Sequence, residues 1–277
     1  MTSINCKGKL LDLTEPVVMG VINATPDSFY KGHLKLKTDE LLALAGRMIA
    51  DGAAILDIGG LSTRPGSEPI SVEEESDRVV QVLGKIHESF PETILSVDTY
   101  NSTVAKDAVA AGASIVNDIS GGQMDEHMIP TVAAMQVPYI CMHMLGTPAN
   151  MQKQPVYENV VREVLDFFIT RIDLCAQAGI NDIIIDPGFG FGKTIAHNFQ
   201  LLKALDIFSM TGRPVLAGLS RKSTIYKTLG ITAEEALNGT TVLNCMALLN
   251  GASILRVHDV KEAGEVITLF RKYKEAP

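Results

Sequence analysis

The sequence predicts an α/β fold, a (β/α)8 barrel of the TIM type that forms a single domain over residues 1–277. The first observation is a repeated pattern: a helical stretch ends at a small residue and glycine, and an apolar strand with a polar end follows. The four copies occupy residues 50–60, 110–122, 177–190 and 250–259. The second is length, since such barrels commonly have about 250 residues, and no linker interrupts the pattern.

The elements follow from this pattern in chain order. The glycines of the four copies are typical of left-handed helix caps: Gly52, Gly112, Gly179 and Gly251. Further buried strands are predicted at Val17–Ile22, Ile94–Val97, Pro138–Met142 and Pro214–Ala217. Helices are predicted at Thr38–Asp51, Ser71–Ser89 with a Ser71 to Glu74 capping box, Tyr157–Ala178 and Val260–Lys274. Eight strands and eight helices favour a closed barrel over an open doubly wound sheet.

Three segments lie outside the regular units. Residues 1–13 alternate between apolar and polar, which predicts a short N-terminal β extension, one strand covering the barrel floor. Residues 23–37 and 59–70 are longer connections than a barrel needs and are rich in Gly, Pro, Ser and Thr. Because long loops at the catalytic face of a barrel carry function, we expect both to be mobile lids.

The composition limits the partners. The chain is 46% hydrophobic and 20% charged, with a formal net charge of −8, which disfavours binding to nucleic acid or an anionic membrane surface. Neither a signal peptide nor an apolar run of roughly 18 residues is found, so we expect a cytoplasmic protein. The scattered cysteines predict reduced thiols and no zinc site: Cys6, Cys141, Cys175 and Cys245.

The stretch DIIIDPGFGFGKT, from Asp182 to Thr194, invites a nucleotide-binding interpretation. A P-loop requires glycine where Pro187 stands, and proline has no N–H to donate to a phosphate. The glycine spacing is also one residue short of a dinucleotide fingerprint. The loop therefore needs another explanation, and within it Lys193 is interpreted as a solvated loop lysine.

Polar residues end the predicted strands, and in a barrel these ends meet at the catalytic face. They are Asn23, Asp57, Asp98, Asn117, Asp118, His143, Asp186, Ser220, Arg221, Lys222, Arg256 and His258. For Asp57 and Asp118, helix capping is at least as good an interpretation as function. The whole set concentrates carboxylates, amides, cations and two histidines at one mouth, which capping does not require.

This set indicates two ligand patches with apolar surface beside them. Groups that can pair with a flat heterocycle bearing amino and ring N–H groups are Asp98, Asn117, Asp186 and Lys222. Groups that form an anion pocket are Asn23, Arg256 and His258. Flat or soft apolar side chains are Met142, Met144, Phe189 and Phe191.

Seven motifs occur at the strand ends in chain order. They are VINATPDSF (21–29), DIGGLSTRPG (57–66), SVDT (96–99), VNDISGG (116–122), DPGFGFGK (186–193), GLSRKS (218–223) and RVHD (256–259). Together they resemble the dihydropteroate synthase family of pterin-binding enzymes, and the resemblance covers nearly the whole chain.

The resemblance implies a reaction as well as a fold. It implies a barrel that joins 6-hydroxymethyl-7,8-dihydropterin pyrophosphate to para-aminobenzoate in folate biosynthesis, releasing pyrophosphate, with Mg²⁺ as cofactor. It also implies a homodimer, and sulfonamides as ligands. No residue resembles a nucleophile, and none is needed, because a pterin methylene can lose pyrophosphate as a ring-stabilised cation that the arylamine attacks.

Matched residue by residue, the resemblance assigns roles within the mouth. The implied pterin-binding residues are Asp98, Asn117, Met142, Asp186, Lys222 and Arg256. The implied pyrophosphate-binding residues are Asn23, Thr63, Arg64, Arg256 and His258, with Asn23 at the metal ion. The implied aminobenzoate-binding residues are Pro65, Phe191, Lys222 and Ser223. The implied catalytic residues are Asp98, Asp186 and Lys222.

Two positions depart from the family pattern and keep alternatives open. Lys31 stands where the family usually has Asp, and Leu61 where it usually has Glu. One alternative is a methyltransferase that acts on methyltetrahydrofolate on the same barrel, and another is a catalytically silent paralogue that only binds pterins. Measuring pyrophosphate release from the two substrates separates the three hypotheses.

Overall fold

Strands alternate with helices along almost the whole chain, as the glycine pattern predicts. The computed structural model describes residues 3–24, 34–61, 70–148, 150–151 and 155–277. The elements are β1 (Ser3–Cys6), β2 (Lys9–Asp12), β3 (Val17–Asn23), α1 (Leu34–Ala50), β4 (Ile55–Gly59), α2 (Val72–Ser89), β5 (Ile94–Asp98), α3 (Ser102–Ala110), β6 (Ile115–Asp118), α4 (Met128–Met135), β7 (Tyr139–Met142), α5 (Val160–Ala178), β8 (Ile183–Asp186), α6 (Ile195–Lys203), a 3₁₀ helix (Leu205–Thr211), β9 (Leu216–Ala217), α7 (Ser223–Leu229), α8 (Leu237–Leu249), β10 (Ile254–Val257) and α9 (Val260–Glu275).

The eight strands β3 to β10 close into a barrel. Their order is β8-β7-β6-β5-β4-β3-β10-β9, and the paired neighbours are parallel. A parallel bridge between Ile185 and Val215 joins the two ends of this order, and the Ile185 N–H donates to the Pro214 carbonyl at 3.0 Å. The predicted (β/α)8 barrel is therefore confirmed.

The helix-to-strand joints use the predicted glycines. Gly52, Gly112, Gly179 and Gly251 have φ values of 96°, 119°, 93° and 94°. Glycine lacks the Cβ that makes this left-handed region costly for other residues. Each helix can therefore end abruptly, and the next strand starts one or a few residues later.

Several boundaries differ from the prediction. Helix α1 begins earlier than predicted, whereas α5 begins later because the Asn159 side chain accepts from the Arg162 N–H and caps it there. Ser71 caps α2 by accepting from the Glu74 N–H at 3.2 Å, which is one half of the predicted capping box. The described residues contain nine α-helices, one more than predicted, because both α7 and α8 lie between β9 and β10.

An N-terminal hairpin closes the barrel floor, where one strand was predicted. Strands β1 and β2 pair antiparallel around Lys7 and Gly8, whose φ values are 52° and 91°. The hairpin packs Ile4, Cys6 and Leu11 against a floor layer that takes one apolar residue from each barrel strand. The floor layer is Met19, Ile55, Ile94, Ile115, Ile140, Ile184, Leu216 and Ile254.

Outside the barrel, a second and larger core lies between the strands and the helices. It contains at least one apolar residue of every barrel strand, with Ala217 from β9, together with fully buried aromatic side chains such as Phe168 and Phe208. In the part of the chain that the structure describes, no helix combines the length and hydrophobicity of a membrane span. The four cysteines are free thiols, as expected, and Cys245 is the exposed one.

The predicted lids fall mostly outside the described residues. Of the segments 23–37 and 59–70, residues 25–33 and 62–69 are not described. Their role as lids stays a prediction.

The hairpin should contribute to stability through its inward face. Ile4 is 0% exposed in the floor cluster, whereas Leu10, on the same hairpin, is 73% exposed. We expect Ile4→Ala to lower the free energy of unfolding by about 2–5 kcal/mol, and Leu10→Ala to change it by less than about 0.5 kcal/mol. Urea denaturation followed by circular dichroism measures both, and similar values for the two variants would contradict a packed floor.

Candidate active site

Strand alternation brings the predicted polar residues to the inside of the barrel mouth. Residues two and four positions after a floor residue lie on the same strand face as that residue. The residues two positions after a floor residue are Asp57, Asn117, Met142, Asp186, Gly218 and Arg256. The residues four positions after a floor residue are Asn23 and Asp98. Residues from seven strands, with Gly218 directly after the eighth, therefore share one mouth.

Arg256 is held by two carboxylates at the centre of this mouth. Its Nε donates to Asp57 Oδ2 at 2.7 Å and its Nη2 to Asp98 Oδ2 at 2.5 Å. Asn117 Nδ2 also donates to Asp57 Oδ2, at 2.9 Å, which leaves the Asn117 amide oxygen as the acceptor on that side chain. Asp57 thus orients Arg256 and Asn117, so it belongs to the site and does not cap a helix.

Burial and ion pairing shift the pKa values of Arg256 and Asp98 in opposite directions. Burial lowers the pKa of Arg256, but Asp57 and Asp98 outweigh it and hold that pKa above its usual value. Burial raises the pKa of Asp98, and Arg256 opposes this shift. The guanidinium therefore remains charged, and it neutralises carboxylates that would otherwise be costly to bury.

Asp186 and Lys222 form the other side of the mouth. The Gly188 N–H donates to Asp186 Oδ1 at 2.7 Å, and Lys222 Nζ donates to the Phe189 carbonyl at 2.6 Å. Both side chains face Gly218, since a Cβ there would lie 3.8 Å from Asp186 Oδ2 and 3.5 Å from Lys222 Nζ. A glycine at this position leaves room between a carboxylate acceptor and an ammonium donor.

The glycine-rich loop forms an apolar wall beside Lys222. The Phe191 ring centroid lies 4.7 Å from Lys222 Nζ, which is a cation–π distance. Phe191 also packs on a small apolar cluster separate from the two larger cores, which contains Ile119, Met142, Met144 and Met151. The wall thus offers a flat surface next to a cation.

Two residues of the predicted anion pocket, Asn23 and His258, lie at exposed positions at the ends of their strands. Asn23 ends β3 with an exposed side chain, and His258 is exposed just after β10. Ser220 Oγ lies 3.0 Å from His258 Nδ1 and accepts from the His258 N–H at 3.2 Å. Ser220 therefore fixes the imidazole at the mouth. Thr63, Arg64, Pro65 and Lys31 lie outside the described residues.

Two of the sequence interpretations are wrong. Lys193 is not solvated: it is 3% exposed, and its Nζ contacts His143 Nδ1 at 2.9 Å. His143 is likewise buried beneath the loop, edge-on to Phe167, so only one of the two predicted histidines faces the mouth. Burial lowers the pKa of Lys193 to about 7, with Asp186 opposing, and burial lowers the pKa of His143 to about 2.

Other tip residues have structural roles, as the capping interpretation allowed for Asp118. This carboxylate accepts from the Ser120 N–H and hydroxyl and from the Gly122 N–H, each at 2.7 Å, and from the Tyr139 hydroxyl. It therefore stabilises the turn after β6. Ser223 is the first residue of α7 and is partly buried beside Lys222.

The sequence did not predict two contacts that support the site, one an ion pair and the other a hydrogen bond. Arg221 makes a bidentate pair with Asp259, with both N–O distances at 2.8 Å, and this ties the segment of Lys222 to the end of β10. On the other side, the Thr99 hydroxyl donates to buried Glu75 at 2.7 Å, just after Asp98. The Arg221 pair had a signal in the sequence, since both residues belong to strand-end motifs.

Comparison with known proteins shows the family of this chain. The family model described as pterin binding enzyme matches residues 19–258. Dihydropteroate synthase of Escherichia coli K12 is 42% identical over 94% of this chain and 93% of its own, and that of Haemophilus influenzae is 40% identical over 95% and 96%. The chain therefore belongs to the dihydropteroate synthase family of pterin-binding enzymes.

Solved structures agree with the relatives. A Yersinia pestis dihydropteroate synthase in a sulfonamide drug complex superposes with a TM-score of 0.93 at 40% identity, covering 99% of this chain and 100% of that one. A Xanthomonas albilineans dihydropteroate synthase with 4-aminobenzoic acid gives 0.92 at 39% identity, covering 100% and 99%. A structure of that enzyme with 7,8-dihydropteroate gives 0.89 at 38% identity, covering 99% and 100%.

The proximity of Asp186 should be measurable in the titration of Lys222. Burial lowers the pKa of Lys222 to about 8, and Asp186 opposes that shift by favouring the ammonium form. We expect Lys222 to lose its proton near pH 8 in the unsubstituted protein, and at lower pH in Asp186→Asn. Carbon-13 NMR of labelled lysine measures this, with Lys222→Arg assigning the signal.

Asp182→Asn is the matched control, because Asp182 lies just before the opposite end of the same strand and accepts from the Asn5 N–H. It should leave the Lys222 titration unchanged. A Lys222 midpoint that rises in Asp186→Asn would contradict the placement of the two groups.

Proposed function

We propose that this protein condenses 6-hydroxymethyl-7,8-dihydropterin pyrophosphate with para-aminobenzoate, giving 7,8-dihydropteroate and pyrophosphate in folate biosynthesis. The observation that carries the proposal is the convergence of polar side chains from different strands on one mouth beside an aromatic wall. They are Asp98, Asn117, Asp186, Lys222 and Arg256. The family relationship supports the same assignment.

The pterin lies among the inward groups in this proposal. Asp186 accepts from the amino group and an adjacent ring N–H, because a carboxylate can accept two parallel hydrogen bonds. Asn117 and Asp98 engage the opposite edge, and Lys222 donates to the ring carbonyl. Met142, buried in the apolar cluster beside the mouth, provides the apolar surface beneath the ring. Arg256, fixed by its two carboxylates, lies against the ring and near the pyrophosphate.

The chemistry requires placement and charge, not a nucleophilic side chain. The bond between the pterin methylene carbon and the bridging oxygen breaks, and pyrophosphate leaves with the electron pair. The carboxylates of Asp98 and Asp186 stabilise the positive charge that forms on the pterin. The amine nitrogen of aminobenzoate then forms the new C–N bond with its lone pair and releases a proton to solvent.

Aminobenzoate lies along the loop wall. Its ring packs on Phe191, and its carboxylate lies toward Lys222 and Ser223, where the lysine and the start of α7 offer positive charge. Pro65 is the third proposed contact and lies outside the described residues. A ring held on Phe191 has its amine directed at the mouth, where the methylene carbon is exposed after pyrophosphate leaves.

The pyrophosphate and Mg²⁺ belong to the Asn23 side of the mouth. Within the described ranges, no group of three or more His, Cys, Asp or Glu side chains is arranged to hold a metal ion. The exposed Asn23 still fits, because Mg²⁺ keeps several waters and often takes only one or two protein ligands together with phosphate oxygens. When bound there, the ion would neutralise charge on the leaving pyrophosphate. Arg256 and His258 face the same anion, with Thr63 and Arg64 as proposed partners.

The direct test is an assay with purified protein. With both substrates and Mg²⁺, we expect pyrophosphate release and 7,8-dihydropteroate formation in equal amounts. Omitting aminobenzoate should abolish dihydropteroate formation, and chelating the metal should abolish both products. Asp186→Asn should weaken pterin binding about 10-fold to 100-fold, since an amide offers one acceptor where two are needed. Calorimetry measures this, and Asp182→Asn is again the control.

Two other outcomes would contradict the proposal. Pterin binding without pyrophosphate release would identify a silent pterin-binding paralogue. Methyl transfer from methyltetrahydrofolate, with no dihydropteroate formed, would identify the methyltransferase alternative.

We also propose a homodimer that forms through α8. Val242, Met246 and Leu249 are exposed large apolar residues, and their spacing of four and three places them on one helix face. Met246→Lys should convert the dimer to a monomer in analytical ultracentrifugation, because it places a charge in an apolar interface. Met210→Lys, at an exposed methionine in the 3₁₀ helix, is the control and should stay dimeric. A monomeric unsubstituted protein would refute the dimer.

A further inference from the structure

Side chains from outside the glycine-rich loop, or from its end, bind three of its backbone carbonyls. Lys222 Nζ donates to the Phe189 carbonyl at 2.6 Å, and the Tyr157 hydroxyl donates to the Gly192 carbonyl at 2.9 Å. Between them, Lys193 Nζ donates to the Phe191 carbonyl at 3.0 Å. The carbonyl that Lys193 binds is that of Phe191, whose ring forms the wall of the mouth.

Lys193 has a complete set of partners. Besides Phe191, its Nζ lies 3.2 Å from the His143 carbonyl and 2.9 Å from His143 Nδ1. A charged ammonium can donate to all three, and a neutral amine can donate to both carbonyls and accept from an Nδ1–H. The three contacts are therefore satisfied in either protonation state, which is what a buried amino group requires.

His143 connects this amino group to the barrel frame. Its backbone N–H donates to the Asp186 carbonyl at 3.0 Å, at the end of β8. Its ring packs edge-on against Phe167 of α5, with the centroids 4.9 Å apart. Lys193 thus ties the Phe191 backbone to a residue that strands and a helix hold in place.

The loop needs such a tie near Phe191. Gly190 and Gly192 flank Phe191 with φ values of 85° and 63°, and glycine backbones lose the most conformational entropy when they are fixed. Phe189 is fully buried and anchors the start of the loop, and the Phe191 N–H donates to the Gly188 carbonyl. Past that turn, the Phe191 carbonyl depends on Lys193.

We propose that Lys193 is a positioning residue that sets the Phe191 ring and thereby the aminobenzoate site. It acts through the backbone and leaves the pterin groups on the strands in place. This inference rests on the proposed function for the identity of the ligand. The claim that Lys193 orders the loop does not depend on that function.

The first experiment measures kinetics in Lys193→Met, which keeps the length of the side chain and removes its donors. We expect the KM for aminobenzoate to rise about 10-fold or more and the KM for the pterin pyrophosphate to change less than about 3-fold. Lys203→Met, at an exposed lysine that ends α6, is the control. An equal rise in both KM values, or no rise in either, overturns the positioning role.

The second experiment uses a pair of variants at His143 and also serves if Lys193→Met fails to fold. His143→Asn keeps a short polar group that can accept from or donate to the Lys193 amino group, whereas His143→Leu removes it. The Asn variant should keep the KM for aminobenzoate within about 3-fold of the unsubstituted value. The Leu variant should raise this KM further than the Asn variant does but less than Lys193→Met does, because Lys193 Nζ keeps its contacts to the His143 and Phe191 carbonyls. Equal KM values in the two variants overturn the proposal.

The third experiment separates this inference from the proposed function. Hydrogen exchange followed by mass spectrometry on the ligand-free protein should show faster exchange over residues 188–193 in Lys193→Met or His143→Leu, with residues 183–186 unchanged. Unchanged loop exchange overturns the proposal whatever the activity. If the unsubstituted protein lacks synthase activity while the loop exchange rises, the proposed function fails and the positioning of Phe191 by Lys193 stands.

Discussion

One layer of apolar side chains fixes the direction of the polar side chains that the barrel strands carry to the mouth. Each barrel strand contributes one residue to the floor layer, and the N-terminal hairpin covers it. Because side chains alternate along a strand, a residue two positions further must point into the barrel one layer higher. Packing at the floor therefore directs the side chains of Asp57, Asn117, Asp186 and Arg256 into the same space. A one-residue shift in the register of any of these strands would instead bury its polar side chain in the outer core.

The mouth can bury so many charges because they are paired across strands that lie apart in the sequence. Arg256 on β10 neutralises Asp57 on β4 and Asp98 on β5, and Lys222 lies opposite Asp186 on β8. Replacing one member would leave its partner buried without compensation, which costs several kcal/mol. The same pairing presents fixed donors and acceptors to a ligand, so the arrangement that makes the charges tolerable also preorganises the site.

The sequence predicts the barrel and its strand-end residues because both follow from local patterns: glycine caps, continuous apolar runs and polar ends. It does not predict which polar residues pair, since the contact between Arg256 and Asp57 spans 199 positions and depends on barrel closure. The error at Lys193 has the same origin. A lysine among glycines looks solvated locally, and only the packing of the loop on β7 shows that it is buried against His143.

The two lysines beside Phe191 are similar in the sequence and differ in what they can do. Lys193 has three polar partners within the protein, so its amino group has no hydrogen left for a ligand. In the described residues, the Lys222 amino group makes one hydrogen bond, to the Phe189 carbonyl, besides its contact with the Phe191 ring, and an ammonium carries three hydrogens. Lys222 can therefore donate to a substrate, whereas Lys193 can act only through the loop. The proposed roles, with Lys222 at the ligand and Lys193 positioning the loop, thus rest on this count of hydrogen-bond partners.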